Sequence, residues 1–223
     1  MDECYRESAD LIRSQIFATR TTPASVRAAI TSVPSAERDA WLDRVFELDE
    51  LPDDGPDLPR DCVPYLPCSV DALLRVVEHA GVQPSDVFVD VGSGLGRAAA
   101  LVHLLTGAPA IGLEIQRALV QASRELTARM KLSRLSFVEG DAARLTGYIV
   151  IGSVFFLNCP FSGERLKRVL DELEAIARTR PIRVCCVDLP LPPRPWLTLA
   201  SEPWVNVAIY RSTYAVSVHD SRT

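Results

Sequence analysis

The chain has 223 residues, of which 48% are apolar and 24% charged. That is the balance of an ordinary globular protein with enough chain to bury a core, and it excludes a disordered, collagen-like or coiled-coil chain. With 24 Lys and Arg against 29 Asp and Glu the net charge is −5, which disfavours nucleic-acid binding through a broad basic surface and leaves room for a cationic partner.

The start, Met1-Asp2-Glu3-Cys4, lacks the basic region and apolar core of an export signal. The longest apolar stretch, Tyr148 to Leu157, is too short for a bilayer and holds Gly152 and Ser153. Cysteines fall at 4, 62, 68, 159, 185 and 186, with no Cys-x-x-Cys pair. They read as free thiols of a reducing cytoplasm, and no metal site is expected.

In chain order, residues 1–62 predict a helical extension followed by a cover segment. Leu11, Ile12, Gln15 and Ile16 carry one helical stripe. Ser25, with Val26, Ala29 and Ile30 behind it, predicts a second helix. Pro34-Ser35-Ala36-Glu37-Arg38 opens a third, with Trp41, Leu42, Val45 and Phe46 on one face. Prolines at 52, 56, 59, 64 and 67 then punctuate acidic turns.

From 63 to 223 a second unit is expected, in which short apolar strands alternate with helices. The strands are Val87 to Val91, Ala110 to Leu113, Leu135 to Val138, Ser153 to Leu157 and Arg183 to Val187. The helices are Val70 to Ala80, closed by Gly81, then Arg97 to Thr106, Gln116 to Lys131 and Glu164 to Arg178. Leu197 to Ala200 and Val205 to Tyr210 predict two closing strands joined through Glu202-Pro203, and 213–219 a further strand or a loose tail. The fold class is α/β, a mostly parallel sheet with an antiparallel finish.

The segment Val89-Asp90-Val91-Gly92-Ser93-Gly94-Leu95-Gly96-Arg97 runs a strand through three glycines into a helix. Glycine permits positive φ and close approach of a ligand, and the helix start offers free N–H groups. Dinucleotide loops want Gly-x-Gly-x-x-Gly, and here the third glycine arrives one residue early. An acid so near the loop repels a pyrophosphate and suits a ligand carrying an amino group and a sulfonium. Two more acids close successive strands, Glu114 after Gly112-Leu113 and Asp141 after Glu139-Gly140. A carboxylate at the first place can accept from both ribose hydroxyls, and one at the second from an adenine amino group.

This series resembles the motifs of class I S-adenosylmethionine-dependent methyltransferases over about residues 63–211. The resemblance implies a Rossmann-like sheet of seven strands with a reversed last strand. It assigns Asp90 and the backbone at Gly92 and Gly94 to the methionine part of the cofactor, Glu114 to the ribose, and Asp141 with Ala142 N–H to the adenine, with Ser93, Gly96 and Ile115 as further cofactor-binding residues. S-adenosylhomocysteine is the implied product. Val63-Pro64-Tyr65-Leu66-Pro67, together with the glycine loop, is similar to the non-SET protein-lysine methyltransferases, which would set Tyr65 over the methionine end; the other reading of Tyr65 is a packed aromatic.

Asn158-Cys159-Pro160-Phe161 ends the fourth strand and resembles the Asn/Asp-Pro-Pro-Tyr/Phe box of amino-directed methyltransferases, departing from it at Cys159. Asn158 offers an amide oxygen to an acceptor N–H and is also placed at the cofactor; Phe161 offers an apolar wall. Both either touch the substrate or only shape the loop. Cys159 has no histidine placed to activate it. Arg124, Arg129, Lys131 and Arg134 read as a solvated helix face rather than a nucleic-acid patch, and Trp41, Trp196 and Trp204 as core rather than pocket. The expected activity is methyl transfer to nitrogen, on a protein lysine or another amine. The alternatives are a small-molecule methyltransferase and a non-catalytic module of the same fold.

Overall fold

The computed structural model describes residues 3–48, 52, 54–55, 58–200 and 206–214. Three N-terminal helices come first: α1 (Glu3–Phe17), α2 (Pro23–Ser32) and α3 (Arg38–Phe46), the last entered through a 3-10 turn at Ser35–Glu37. After the cover segment follow α4 (Val70–Ala80), β1 (Phe88–Val91), α5 (Arg97–Thr106), β2 (Ala110–Glu114), α6 (Arg117–Arg129) and β3 (Leu135–Glu139). The chain continues through a short α7 (Ala142–Leu145), β4 (Val154–Asn158), α8 (Gly163–Ala177), β5 (Arg183–Val187), β6 (Leu197–Leu199) and β7 (Val207–Ser212).

The strands form one seven-stranded sheet in the order β3-β2-β1-β4-β5-β7-β6. Neighbours from β3 to β5 run parallel, while β7 is antiparallel to both β5 and β6, so the last strand alone is reversed. This is the expected α/β architecture. Its strand order turns back at β1, which opens a crevice at the carboxyl ends of β1 and β4 where such sheets bind ligands. The closing strands are shifted from the expected ranges; Glu202-Pro203, Trp204 and most of 213–219, with His219, lie outside the described residues.

Period-two alternation divides the sheet's burial. Phe88, Ala110, Phe137, Val154 and Phe156 join a core with α4, α5, α6 and the three N-terminal helices. Val89, Val91, Leu113, Phe155 and Leu157 join a second core with α8. The N-terminal helices therefore share one continuous core with the sheet: α2 packs on α5, α3 on α4 and α1 on α3.

Local capping sets the ends of several helices. Ser69 accepts from Ala72 N–H to start α4, and Gly81 at φ +62° ends it. The second helix starts earlier than the Ser25 reading. Pro23 sits in its first turn, and Thr22 and Ser25 cap each other reciprocally, so Ser25 is the third residue of a capping box. The segment 142–148, unassigned in the sequence reading, is α7 and a 3-10 turn.

Trp41 and Trp196 are core residues, each no more than 1% exposed. Arg124, Arg129, Lys131 and Arg134 each donate to a backbone carbonyl, of Phe137, Phe46, Phe17 and Gly107 respectively, so the face is pinned to the fold rather than simply solvated. Among the described residues no helix is long and apolar enough to cross a membrane.

Candidate active site

A cleft of about 580 Å³, open to solvent, lies at the carboxyl ends of the central strands, and a side chamber of about 260 Å³, also open, adjoins it through Tyr65, Leu66, Gly92 and Asn158. The strand ends supply the floor. Gly92 and Ser93 N–H both donate to Leu113 O, which folds the glycine loop back toward β2.

Glu114, 7% exposed, accepts from Gly94 N–H through Oε2 at 2.9 Å and from Gln116 N–H through Oε1 at 2.8 Å. Burial pushes its carboxyl above the usual range, against the pull of these N–H groups. Each of its oxygens keeps a lone pair for a further donor.

Asp90 shares the sheet face of Phe88 and lines the side chamber. It is 2% exposed, and its Oδ2 has no hydrogen-bond partner among the described residues. Burial first, then the neighbouring Glu114 carboxylate, pushes its pKa up to about 8, with the Ala99 backbone N–H pulling the other way. A buried carboxyl oxygen without a partner costs the fold stability, and a cationic donor in the chamber relieves that cost. Ser93, whose buried Oγ is also unpartnered among the described residues, lines the same chamber.

Asp141 caps α7 by accepting from Ala143 N–H at 2.9 Å and pairs with Arg165 of α8. Ile115, Asp141 and Ala142 line the main cleft beside Glu114.

The cover segment supplies the roof. Cys62 pairs across an isolated bridge with Phe161, Val63 N–H donates to Pro160 O at 3.0 Å, and Ser162 N–H donates to Asp61 O. Arg165 also holds Asp61 at 3.2 Å. Two loop glycines are required by this roof. Gly92 has φ +85° and a Cβ there would collide with Pro160; Gly94 has φ +52° and a Cβ would collide with the Tyr65 ring.

Gly94 is thus covered by the protein's own aromatic, and its N–H is spent on Glu114. Gly96 turns away from the cleft, against Phe137 and Ser123. Of the expected site residues, Tyr65, Asp90, Gly92, Ser93, Glu114, Ile115, Asp141, Ala142, Asn158 and Phe161 line the two spaces, and Gly94 and Gly96 do not.

Asn158 ends β4 and its Nδ2 donates to Leu66 O at 3.0 Å, leaving Oδ1 as the acceptor. Cys159 has φ +44°, which proline cannot adopt. The loop after β4 therefore leaves the path of a strict Asn-Pro-Pro-Tyr box at its second position. Exposed Val63, Pro64, Leu66 and Pro67 form an apolar rim beside Asn158. Burial raises the Tyr65 phenol well above its usual value, so it stays neutral across physiological pH.

Sequence reasoning missed Arg97. It follows the last loop glycine, is 3% exposed and lines the side chamber. Its guanidinium donates to Asp43 Oδ1 at 2.6 Å, Cys68 O at 2.6 Å and Asp39 Oδ1 at 2.9 Å. Burial works against its charge, but Asp43 and Asp39 more than offset this and hold it above its ordinary pKa. Arg97 thereby joins α3, the cover segment and the glycine loop. Position alone, at the first turn of α5, does not announce that role.

Comparisons with known proteins place this geometry. Residues 65–144 match the family model described as the histone methylation protein DOT1. No curated protein sequence matches the chain. An RNA methyltransferase from Salinibacter ruber, solved with S-adenosyl-L-homocysteine, is similar at 22% identity and TM-score 0.51, covering 66% of this chain and 92% of its own. The yhhF protein of Escherichia coli is similar at 21% identity and TM-score 0.54, over 73% of this chain and 91% of its own. The chain carries the Rossmann-like seven-strand fold of the class I methyltransferases, with its glycine loop and strand-end acids inside the segment that matches the DOT1 model.

Proposed function

We propose that the protein is an S-adenosylmethionine-dependent methyltransferase acting on an amine, with a protein lysine as the best-supported acceptor class. The observation that carries the reading is Asp90 Oδ2, buried without a partner among the described residues, two residues ahead of Gly92, in a cleft whose next strand ends in Glu114. Asp90 takes the ligand's ammonium. Glu114 accepts from the ribose hydroxyls with its remaining lone pairs. Asp141 and Ala142 border the adenine. When bound, the cofactor supplies an electrophilic methyl group on a sulfonium.

The chain's own task is then positioning. Once the acceptor amine has given up its ammonium proton to solvent, Asn158 Oδ1 accepts from a remaining N–H and turns the nitrogen lone pair toward the side chamber. Tyr65 and the rim of Val63, Pro64, Leu66 and Pro67 exclude water around an aliphatic stem. A lysine side chain has that combination of apolar stem and terminal amine. The DOT1 description of the matching family model supports the same acceptor class.

Calorimetric titration with S-adenosylmethionine and S-adenosylhomocysteine, on the protein and on Asp90→Ala and Glu114→Ala, tests the cofactor. Micromolar binding lost in both variants is expected. Transfer of labelled methyl to a panel of lysine peptides, small amines and RNA then tests the acceptor. Label entering RNA or small molecules alone overturns the lysine assignment, and binding without any transfer overturns the enzyme assignment.

A further inference from the structure

Glu114 and Tyr65 belong to one closed ring of contacts. Gly94 and Gln116 N–H both donate to the Glu114 carboxylate. The Gln116 side chain turns to the cover segment: its Nε2 donates to Asp54 Oδ1 at 2.8 Å, and its Oε1 accepts from Gly55 N–H at 2.7 Å. Asp54 Oδ1 also accepts from Tyr65 N–H at 3.0 Å. The Tyr65 ring lies on Gly94 and closes the ring.

The side chain of Gln116 works here as a peptide group does at a sheet edge, with one donor and one acceptor meeting their complements. The other tethers of the roof described above, from Pro160, Asn158, Ser162, Arg165 and Arg97, lie on the β4, α8 and α5 side. Gln116 and Asp54 hold the β2 side.

We propose that Asp54 and Gln116 are positioning residues that latch Tyr65 over the glycine loop and set how fast the cofactor leaves; this rests on the cofactor reading of the cleft. Both side-chain bonds are exposed. Water competes for such bonds and their net strength is small, which suits a contact broken at each ligand exchange. The Arg97 tether is buried and has no such freedom.

The chemistry of the pair gives its own controls. Gln116→Glu keeps the acceptor for Gly55 N–H but sets a carboxylate against Asp54. Asp54→Asn keeps the acceptor for Tyr65 N–H and adds a donor. Combined, Asp54→Asn and Gln116→Glu restore a donor–acceptor pair with its polarity exchanged, and rescue of the release rate, rather than of stability alone, marks the pair as a latch.

The experiment is stopped-flow release of S-adenosylhomocysteine from the full chain, with hydrogen exchange at Gly55 and Tyr65 measured without ligand. Gln116→Glu is expected to speed release about ten-fold, as the loss of the bond to Asp54 together with the repulsion of two facing carboxylates implies, and to unprotect both amides as the cover segment lifts. The double variant is expected to return within about two-fold of the original rate. Binding by the unaltered protein with release unchanged in Gln116→Glu overturns the latch alone. Failure of the unaltered protein to bind either cofactor form overturns the cofactor reading and the latch with it.

Discussion

Asp90→Asn, which keeps the shape of the side chain and removes its charge, offers the sharpest perturbation of the site. The pKa of Asp90 is pushed up to about 8 from 3.8. At pH 7 only about a tenth of the carboxyl is ionised, and ionising the rest costs about 1.4 kcal/mol. A cationic ligand needs the carboxylate, so binding at pH 7 is expected to release about 0.9 proton. Affinity should rise roughly ten-fold from pH 6 to 7 and flatten near 8, where an α-ammonium itself begins to lose its proton at about 7.7–8.0.

The stability of the ligand-free protein runs the other way. A folded-state pKa raised above 3.8 contributes stability that is complete below that value and lost as pH rises through about 8. Ligand-induced thermal stabilisation should therefore be larger at pH 8 than at pH 6. The assay is calorimetry in buffers of different ionisation enthalpy, which counts the protons released. Asp90→Asn should abolish the release and weaken binding at pH 8 by roughly ten-fold or more, the worth of a charge-assisted hydrogen bond of about 1.5–3 kcal/mol. Affinity that stays flat from pH 6 to 8, with no proton released, would refute the reasoning.

Further outcomes follow from the same geometry. Glu114→Gln can satisfy only one of the two N–H groups of Gly94 and Gln116, so it should cost about 1–3 kcal/mol of stability, read by thermal denaturation. Arg97→Met removes a buried guanidinium from Asp39, Asp43 and Cys68 O; because both acids are half-exposed and can rehydrate, the loss should sit near the lower end for a broken buried pair, about 3 kcal/mol or roughly 6–12 °C in Tm. Gly94→Ala should weaken cofactor binding by displacing Tyr65, and the same substitution in a Tyr65→Ala background should cost less; equal costs in both backgrounds would show that the ring is not what Gly94 accommodates.

Much of the fold was legible before any coordinates. Val70 to Ala80 carries a clean helical stripe between Ser69 and Gly81, and the structure keeps those limits. The run from Phe88 to Gly96 has to be a strand, a glycine turn and a helix start, because its residues permit little else. Thr22 was passed over because a capping box is recognised by a reciprocal bond, and Ser25 alone looks like a cap. The helical turn at Ala142–Leu145 was missed because it is too short to show a period.

For the site, the chain order of Asp90, Glu114, Asp141 and Asn158 after successive strands was enough to predict one shared edge, since parallel βαβ units bring those ends together. What lies across that edge was decided by contacts between residues distant in sequence. Only the folded chain seats Tyr65 on Gly94, sends Arg97 to Asp39 and Asp43, and ties Gln116 to Asp54. Periodicity and capping are properties of a few neighbouring residues and can be read along the chain. The roof over the cleft depends on which side chains meet after long loops close, and that becomes definite only when the two cores pack.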